Sequence, residues 1–285
     1  MKLLILLSLI CISHSIPTYE PVFRNYHEDI GVKEAARIKA AEEAMAFNGG
    51  RIVGGSLASL GEHPYLGGLQ VTLVDGRLSV CGSSLISNTR LVTAAHCWKH
   101  GSIQAFQFTV VLGSLTLFTG GTRVVTSDVE MHADYQESTL NNDVAIIVVP
   151  WIDYNDNIKN INLATGSNAF VDVMATATGF GRSVDNGPVP QNLQQVDLPV
   201  INNTVCANVF GPLVILESTL CASTANGRST CGGDSGGPLS VYNNETSEHL
   251  LIGVSSFVAG SGCLSGFPAG FARVSSFVNW IQARM

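Results

Sequence analysis

Gly232-Gly233-Asp234-Ser235-Gly236-Gly237-Pro238 is the stretch from which the rest of the chain can be read. A serine set among glycines sits where another backbone can approach closely and where N–H groups can converge on one point. A serine hydroxyl alone is a poor nucleophile and needs a base within hydrogen-bond reach. Two stretches upstream carry the complementary groups. Thr93-Ala94-Ala95-His96-Cys97 holds a histidine beside a cysteine, and Asn142-Asp143-Val144-Ala145-Ile146 sets an aspartate at the entrance of an apolar run. A carboxylate entering such a run is costly unless it has a partner.

Around these motifs the pattern is β. Leu66–Val74, Gln107–Leu112, Arg123–Met131, Val144–Val149, Val173–Thr178, Gln194–Val200 and Leu250–Phe257 are short runs rich in Val, Ile, Leu, Thr or Phe. Gly, Asn, Asp and Pro separate them, which predicts strands joined by turns. Val274, Phe277, Val278 and Ile281 instead recur at helical spacing. They predict an amphipathic C-terminal helix over 274–284 that starts near Ser275 or Ser276. Many strands and few helices indicate barrels or a sandwich.

The composition agrees: 46% of the 285 residues are hydrophobic and 13% charged, which excludes a disordered chain or a coiled coil. The net charge of −7 offers no basic patch for nucleic acid, so no nucleic-acid partner is expected. At the N-terminus Lys2 precedes the apolar run Leu3–Ile12, and Ser13-His14-Ser15 places small residues where a signal peptidase cuts. The run is too short to span a bilayer. Residues 1–15 therefore read as a signal peptide of a secreted protein without a membrane anchor.

Removing Cys11 with the signal leaves Cys81, Cys97, Cys206, Cys221, Cys231 and Cys263. An even number in an oxidising compartment predicts disulfides. Fifteen pairings are possible, and the sequential one is simplest. No closely paired Cys or His ligands suggest zinc. Residues 16–51 form a polar, cysteine-free segment whose centre, Glu34–Phe47, is rich in Ala, Glu and Lys and predicts one helix. At Arg51-Ile52-Val53-Gly54-Gly55 the composition switches abruptly, which marks the start of the main domain, 52–285.

The histidine, aspartate and serine segments, in that order, together with the activation-like Arg51-Ile52 site, resemble the chymotrypsin family of serine proteases from Ile52 to the C-terminus. The resemblance implies an all-β fold of two six-stranded antiparallel β-barrels, about 52–160 and 161–273, with a C-terminal α-helix. It implies a catalytic triad of His96, Asp143 and Ser235, with an oxyanion hole from the N–H groups of Gly233 and Ser235. It also implies a zymogen: cleavage after Arg51 frees the α-ammonium of Ile52, which enters the protein and pairs with Asp234. A rival reading takes Gly233-Asp234-Ser235-Gly236-Gly237 as the nucleophile elbow of an α/β-hydrolase. That elbow requires a following helix with acid and histidine downstream, whereas Pro238 follows here and His249 is the one downstream histidine.

Specificity by the same resemblance falls to Ser229 at the base of the primary pocket, with Ser256, Phe257, Val258 and Ala269 around it. A neutral base offers no partner for Lys or Arg. Val258 narrows the slot, which leaves chymotrypsin-like and elastase-like preferences both open. Such a pocket does not accept Arg51, so a separate trypsin-like activator is expected. Protein or peptide substrates, protein protease inhibitors and a monomeric state complete the expected partners.

His63, His132, Trp98 and Trp280 read as packing residues. The loop Gly113–Gly120 contains no acid, so neither calcium nor any other metal or cofactor is expected. Asn202-Asn203-Thr204 and Asn244-Glu245-Thr246 match the glycosylation pattern. The whole is similar to insect digestive chymotrypsin-like enzymes. The few lysines after Arg51, Lys99 and Lys159 against seven arginines, would suit an alkaline gut lumen.

Overall fold

Runs of β-branched and aromatic residues pack well on a pleated surface, and the residues that punctuate them adopt turns, so the chain after residue 55 folds mainly as strands. The computed structural model describes residues 18–22, 25–48, 56–182, 193–225, 227–244 and 248–285. The expected signal peptide and the Arg51-Ile52 site lie outside them.

In the first half the strands are β1 (Ser56–Leu57), β2 (Leu66–Leu73), β3 (Leu78–Ser87), β4 (Arg90–Thr93), β5 (Lys99–His100), β6 (Ile103–Leu112), β7 (Thr122–Thr126), β8 (Val129–Met131), β9 (Ala145–Val148) and β10 (Asn162–Leu163). The second half holds β11 (Met174–Gly179), β12 (Gln194–Ile201), β13 (Thr219–Ala222), β14 (Pro238–Asn243), β15 (Glu248–Phe257) and β16 (Ala269–Arg273). One sheet runs β5-β6-β2-β3-β4-β9-β8 with β7 on β6. The other runs β12-β11-β14-β15-β16-β13, and pairing of β13 back onto β12 closes it into a six-stranded barrel, with β1 and β10 added at its sides.

The first barrel closes differently from expectation. The predicted strand Arg123–Met131 breaks at Ser127-Asp128 into β7, which pairs with β6, and β8, which pairs with β9. The ring is thus joined through a covalent bend instead of a ladder. The bend is held where Thr126 donates its hydroxyl to the Val148 carbonyl (2.7 Å) and the Val148 N–H donates to that of Asp128 (2.9 Å). Leu69, Leu91, Phe108 and Ile146 fill this barrel, and Leu198, Leu220, Leu239 and Phe271 fill the other.

Among the described residues three α-helices accompany the strands. Helix α1 (Val32–Asn48), preceded by a π-helical turn at His27–Gly31, is longer than the predicted 34–47. Helix α2 (Asn203–Phe210) follows an Asn202 side chain that accepts a hydrogen bond from the Thr204 N–H (2.8 Å), the usual device for a helix start. Helix α3 (Val274–Gln282) begins one to two residues before the predicted serines, with Arg273 at its N-cap and no side-chain cap. Val274, Phe277 and Ile281 of α3 enter the same core as the first barrel. Arg284 pairs with Glu130 of β8 (2.6 Å), so the chain end ties the second half to the first. Among the described residues no helix is long and apolar enough to cross a membrane.

Candidate active site

Each of the three expected catalytic residues sits at the end of a strand, where the rigid sheet fixes it. His96 lies in a 3-10 turn just after β4, and the Cys81–Cys97 disulfide ties that turn to β3. Asp143 immediately precedes Val144 and β9. Leu140 and Asn142 beside it have φ of 56° and 55°, a left-handed backbone unusual for side chains with a Cβ. The Asn142 amide donates to the Asp134 carbonyl (2.9 Å), which holds this turn. Ser235 lies in the loop before β14, near the Cys231–Cys263 disulfide. A third disulfide, Cys206–Cys221, joins α2 to β13.

Gly236 shows why this loop needs glycine. Its φ is +79°, and a Cβ there would lie 2.2 Å from the Thr93 hydroxyl and 2.5 Å from the Gly82 carbonyl. The Gly82 N–H in turn donates to the Ser235 carbonyl (2.7 Å). The nucleophile loop of the second barrel is therefore pressed onto β3 and β4 of the first, beside His96.

Asp143 is buried and accepts three hydrogen bonds. The His96 backbone N–H (2.9 Å) and the His96 Nδ1–H (2.7 Å) donate to it, and so does the Ser256 hydroxyl (2.5 Å). Burial pushes the Asp143 carboxyl up, but the neighbouring His96 and these donors outweigh it and hold the group below the usual carboxylate range. With Nδ1 donating to the carboxylate, Nε2 of His96 is left as the acceptor that a general base requires. His96 and Ser235 line one cleft of about 400 Å³, together with His100, Leu140, Ser256, Phe257 and Val258.

The two groups meet in that cleft without bonding directly. Among the described residues Nε2 of His96 has no hydrogen-bond partner. Tyr26, from the segment before the barrels, packs its ring edge on the imidazole at a centroid distance of 4.7 Å. Its phenol donates to the Val80 carbonyl (2.8 Å), with Ser235 and Gly233 close enough to influence the hydroxyl. No local signal in the sequence singled out Tyr26.

Asp234, partly buried, has a different environment. Its carboxylate accepts from the N–H groups of Gly181 and Cys231, each at 2.9 Å. Desolvation nevertheless raises its pKa to about 6, because the two backbone bonds offset only part of the cost and the Glu34 charge adds to it.

The pocket residues divide. Val258, Phe257 and Ser256 line the cleft, whereas Ser229 and Ala269 are buried outside its lining. The Ser229 hydroxyl donates to the Thr230 carbonyl (2.7 Å). Phe257 is turned inward, edge-on to Phe210 (5.2 Å) and over Gly270. Ser256, grouped with the specificity pocket on sequence, is bonded to Asp143, a role that only the tertiary contact reveals.

His63 is held by Tyr65 and Gln195, His132 lies against Phe277 and Trp280, and Trp98 packs on Phe108. The acid-free loop 113–120 does receive an acid from elsewhere. The Glu42 carboxylate accepts from the N–H groups of Leu117 (2.6 Å) and Phe118 (2.9 Å), so its charge is already matched. Cys81, His96 and Cys97 form the one three-residue cluster of metal-ligand types among the described residues. Their sulfurs are joined to each other, which removes the thiolates a metal would need.

The trypsin family profile matches residues 52–281. The chain belongs to the trypsin family. It is 42% identical over 236 residues to the collagenase of Hypoderma lineatum, covering 82% of this chain and 86% of that protein. To brachyurin of Leptuca pugilator it is 33% identical over 238 residues, covering 82% and 98%. A solved structure of HL collagenase superposes with a TM-score of 0.73 at 41% identity, covering 82% of this chain and 98% of that one. As a trypsin-family member the protein is a serine endopeptidase, and its substrates are proteins.

Proposed function

We propose that Ser235, His96 and Asp143 carry the hydrolysis, in an enzyme that is secreted as a zymogen and activated by cleavage after Arg51. The observation that supports this most is the double anchoring of His96 on Asp143, which presents Nε2 as a base to the cleft that Ser235 shares. Ser235 Oγ attacks the substrate carbonyl carbon while Nε2 takes its proton. The developing oxyanion is received by the N–H groups of Gly233 and Ser235, and Asp143 stabilises the imidazolium. His96 then returns the proton to the leaving amine, and water hydrolyses the acyl-enzyme by the same steps in reverse.

The activation step rests on Asp234. Asp234, whose pKa is raised to about 6 by desolvation, has no salt bridge among the described residues, and the α-ammonium of Ile52 would supply a cation. Pairing of the two draws the oxyanion loop into its working form. A separate trypsin-like protease makes the cut. A pocket based on neutral Ser229, whose hydroxyl is committed to Thr230, favours uncharged apolar residues before the scissile bond. A digestive role follows from the resemblance to gut enzymes.

The experiment is fluorophosphonate labelling of the activated protein, followed by cleavage profiling on peptides that differ only in Ala, Leu, Phe or Arg before the cut. Gelatin belongs in the panel because of the likeness to Hypoderma collagenase. Labelling at Ser235 and cleavage after uncharged residues are expected. A protein that labels nowhere after activation would instead be a protease-like binding protein, and preference for Arg would overturn the pocket assignment.

A further inference from the structure

Described residues of the segment ahead of the barrels meet the cleft and the surfaces beside it at several points. At the entrance Val22 makes an antiparallel bridge to Ala259, and the Gly260 N–H donates to the Pro21 carbonyl (2.8 Å). This is the wall immediately beyond Phe257-Val258, along which an extended substrate would lie. At the centre Tyr26 lies on His96, lines the cleft beside Ser235, and donates its hydroxyl to the Val80 carbonyl (2.8 Å). At the exit His27 Nδ1 bonds the Ser79 hydroxyl (2.9 Å), and Ile30 closes the lining of the cleft. Farther along α1, the fully buried Glu34 pairs with Arg182 (2.7 Å), and Glu42 caps the backbone of Leu117 and Phe118.

Two features of this path matter. Tyr26–Gly31 is helical, so the described residues at this point present no extended peptide bond to Ser235, and the segment blocks the cleft without lying there as a substrate. Every one of these contacts also lies upstream of Arg51, so cutting the chain after Arg51 breaks none of them. The segment has no cysteine, and its hold is entirely non-covalent.

We propose that the pro-segment is an inhibitor of its own protease that outlasts the activating cut. The nicked complex is inactive, and activity appears when the segment dissociates or is digested. This rests on the reading of Arg51-Ile52 as the activation site. The binding surface on the enzyme is the cleft wall at 257–261, the His96–Ser235 centre, Ser79 and Val80 at the start of β3, and the loop at 117–119. The occupant is the sequence around Tyr19–Glu42.

The test uses the full precursor with Phe47–Arg51 replaced by the enteropeptidase sequence Asp-Asp-Asp-Asp-Lys, so that one bond is cut and Ile52 becomes the new N-terminus. Nicking is followed on a denaturing gel, activity on a peptide substrate, and retention of the segment by gel filtration. After complete nicking at micromolar concentration the segment is expected to co-elute with the enzyme, with activity below about a tenth of its final value. Hundredfold dilution or excess peptide substrate restores the rest. In Tyr26→Ala, activity should rise in step with nicking, with the lag shortened at least tenfold.

Full activity appearing in step with nicking in the unsubstituted segment, with the segment eluting alone, would overturn the proposal while leaving the protease reading intact. Should Tyr26→Ala fail to fold, the dilution and retention measurements on the unsubstituted segment decide the matter alone. No activity even after the segment has been separated would overturn the activation reading itself, and the proposal with it.

Discussion

The surroundings of Asp143 and of Asp234 push two carboxylates of one site in opposite directions. Asp143 has three donors, one of them a histidine that can carry charge, and its acidity is strengthened despite burial. Asp234 has two neutral backbone donors, and desolvation lifts it to about 6. The first pocket is already assembled in the uncut chain. The second holds a carboxylate whose best partner, on the proposed activation, does not exist until a peptide bond is cut. On the proposed function, catalytic geometry and its control thus lie in separate pockets, so a change in one need not disturb the other.

The largest test of this separation is Asp143→Asn in the activated enzyme. Loss of the carboxylate leaves the wrong imidazole tautomer facing Ser235, and kcat should fall about 10⁴-fold while the precursor still folds. Asp234→Asn should lower activated kcat by about 10²–10³-fold, the scale of losing an oxyanion donor, because no charge remains to draw the loop into place. The precursor should hardly notice this substitution at pH 7.5, with its thermal midpoint within about 4 °C of the parent. A raised carboxyl group contributes its stability below the unfolded value near 3.8 and loses it as pH rises through about 6. At pH 7.5 the native carboxylate therefore has little to lose, and calorimetry at pH 4 and pH 7.5 should show the substitution costing more in acid. Activity of Asp234→Asn equal to the parent would collapse the distinction between the two pockets.

Smaller effects sharpen the comparison. Ser256→Ala removes one of the three donors to Asp143 and should cost about ten- to a hundredfold in kcat/KM, the scale of a hydrogen bond to a charged group. A rate unchanged by that substitution would show that His96 alone fixes the carboxylate. The smallest concerns the segment over the cleft. Burial, reinforced by the His96 and His100 charges, lowers docked His27 from 6.5 to about 3, and His100 is likewise lowered to about 4. His27, on the docking segment itself, favours docking above pH 6.5 and opposes it as pH falls toward its docked value. Glu34 and Glu42, whose carboxyls are raised by burial, work in the opposite direction nearer their own range. From pH 7.5 to 5.5, retention of the nicked segment in gel filtration should weaken about tenfold. The replacement His27→Gln should flatten that dependence.

Much of this site could be read before any fold was known. Ser235, His96 and Asp143 sit in short motifs whose residue types point to the proposed chemistry, and the runs Leu66–Val74 and Leu250–Phe257 declared themselves as strands. Strand β3 did not. Gly82, Ser83 and Ser84 interrupt its apolar pattern, and they are buried because the nucleophile loop and β2 press on them, with Ser83 donating to the Gly67 carbonyl (2.9 Å). Helix α2 was hidden in a similar way. Asn202-Asn203-Thr204 draws attention as a glycosylation pattern, yet the Asn202 side chain starts a helix. In both cases a polar residue satisfied by a distant or backbone partner looks, in sequence, like a residue meant for solvent.

Local sequence by itself determined the residue types on which the proposed chemistry rests, the β character of the chain, the C-terminal helix and the break in composition near Arg51. Those features depend on neighbours a few residues apart, where spacing and residue type suffice. Tertiary structure alone decided that Ser256 supports Asp143 and that Tyr26 rests on His96, seventy positions away in number and 4.7 Å between ring centres in space. Such pairings come from complementary surfaces formed only when both barrels close, and no periodicity or motif within either partner records them.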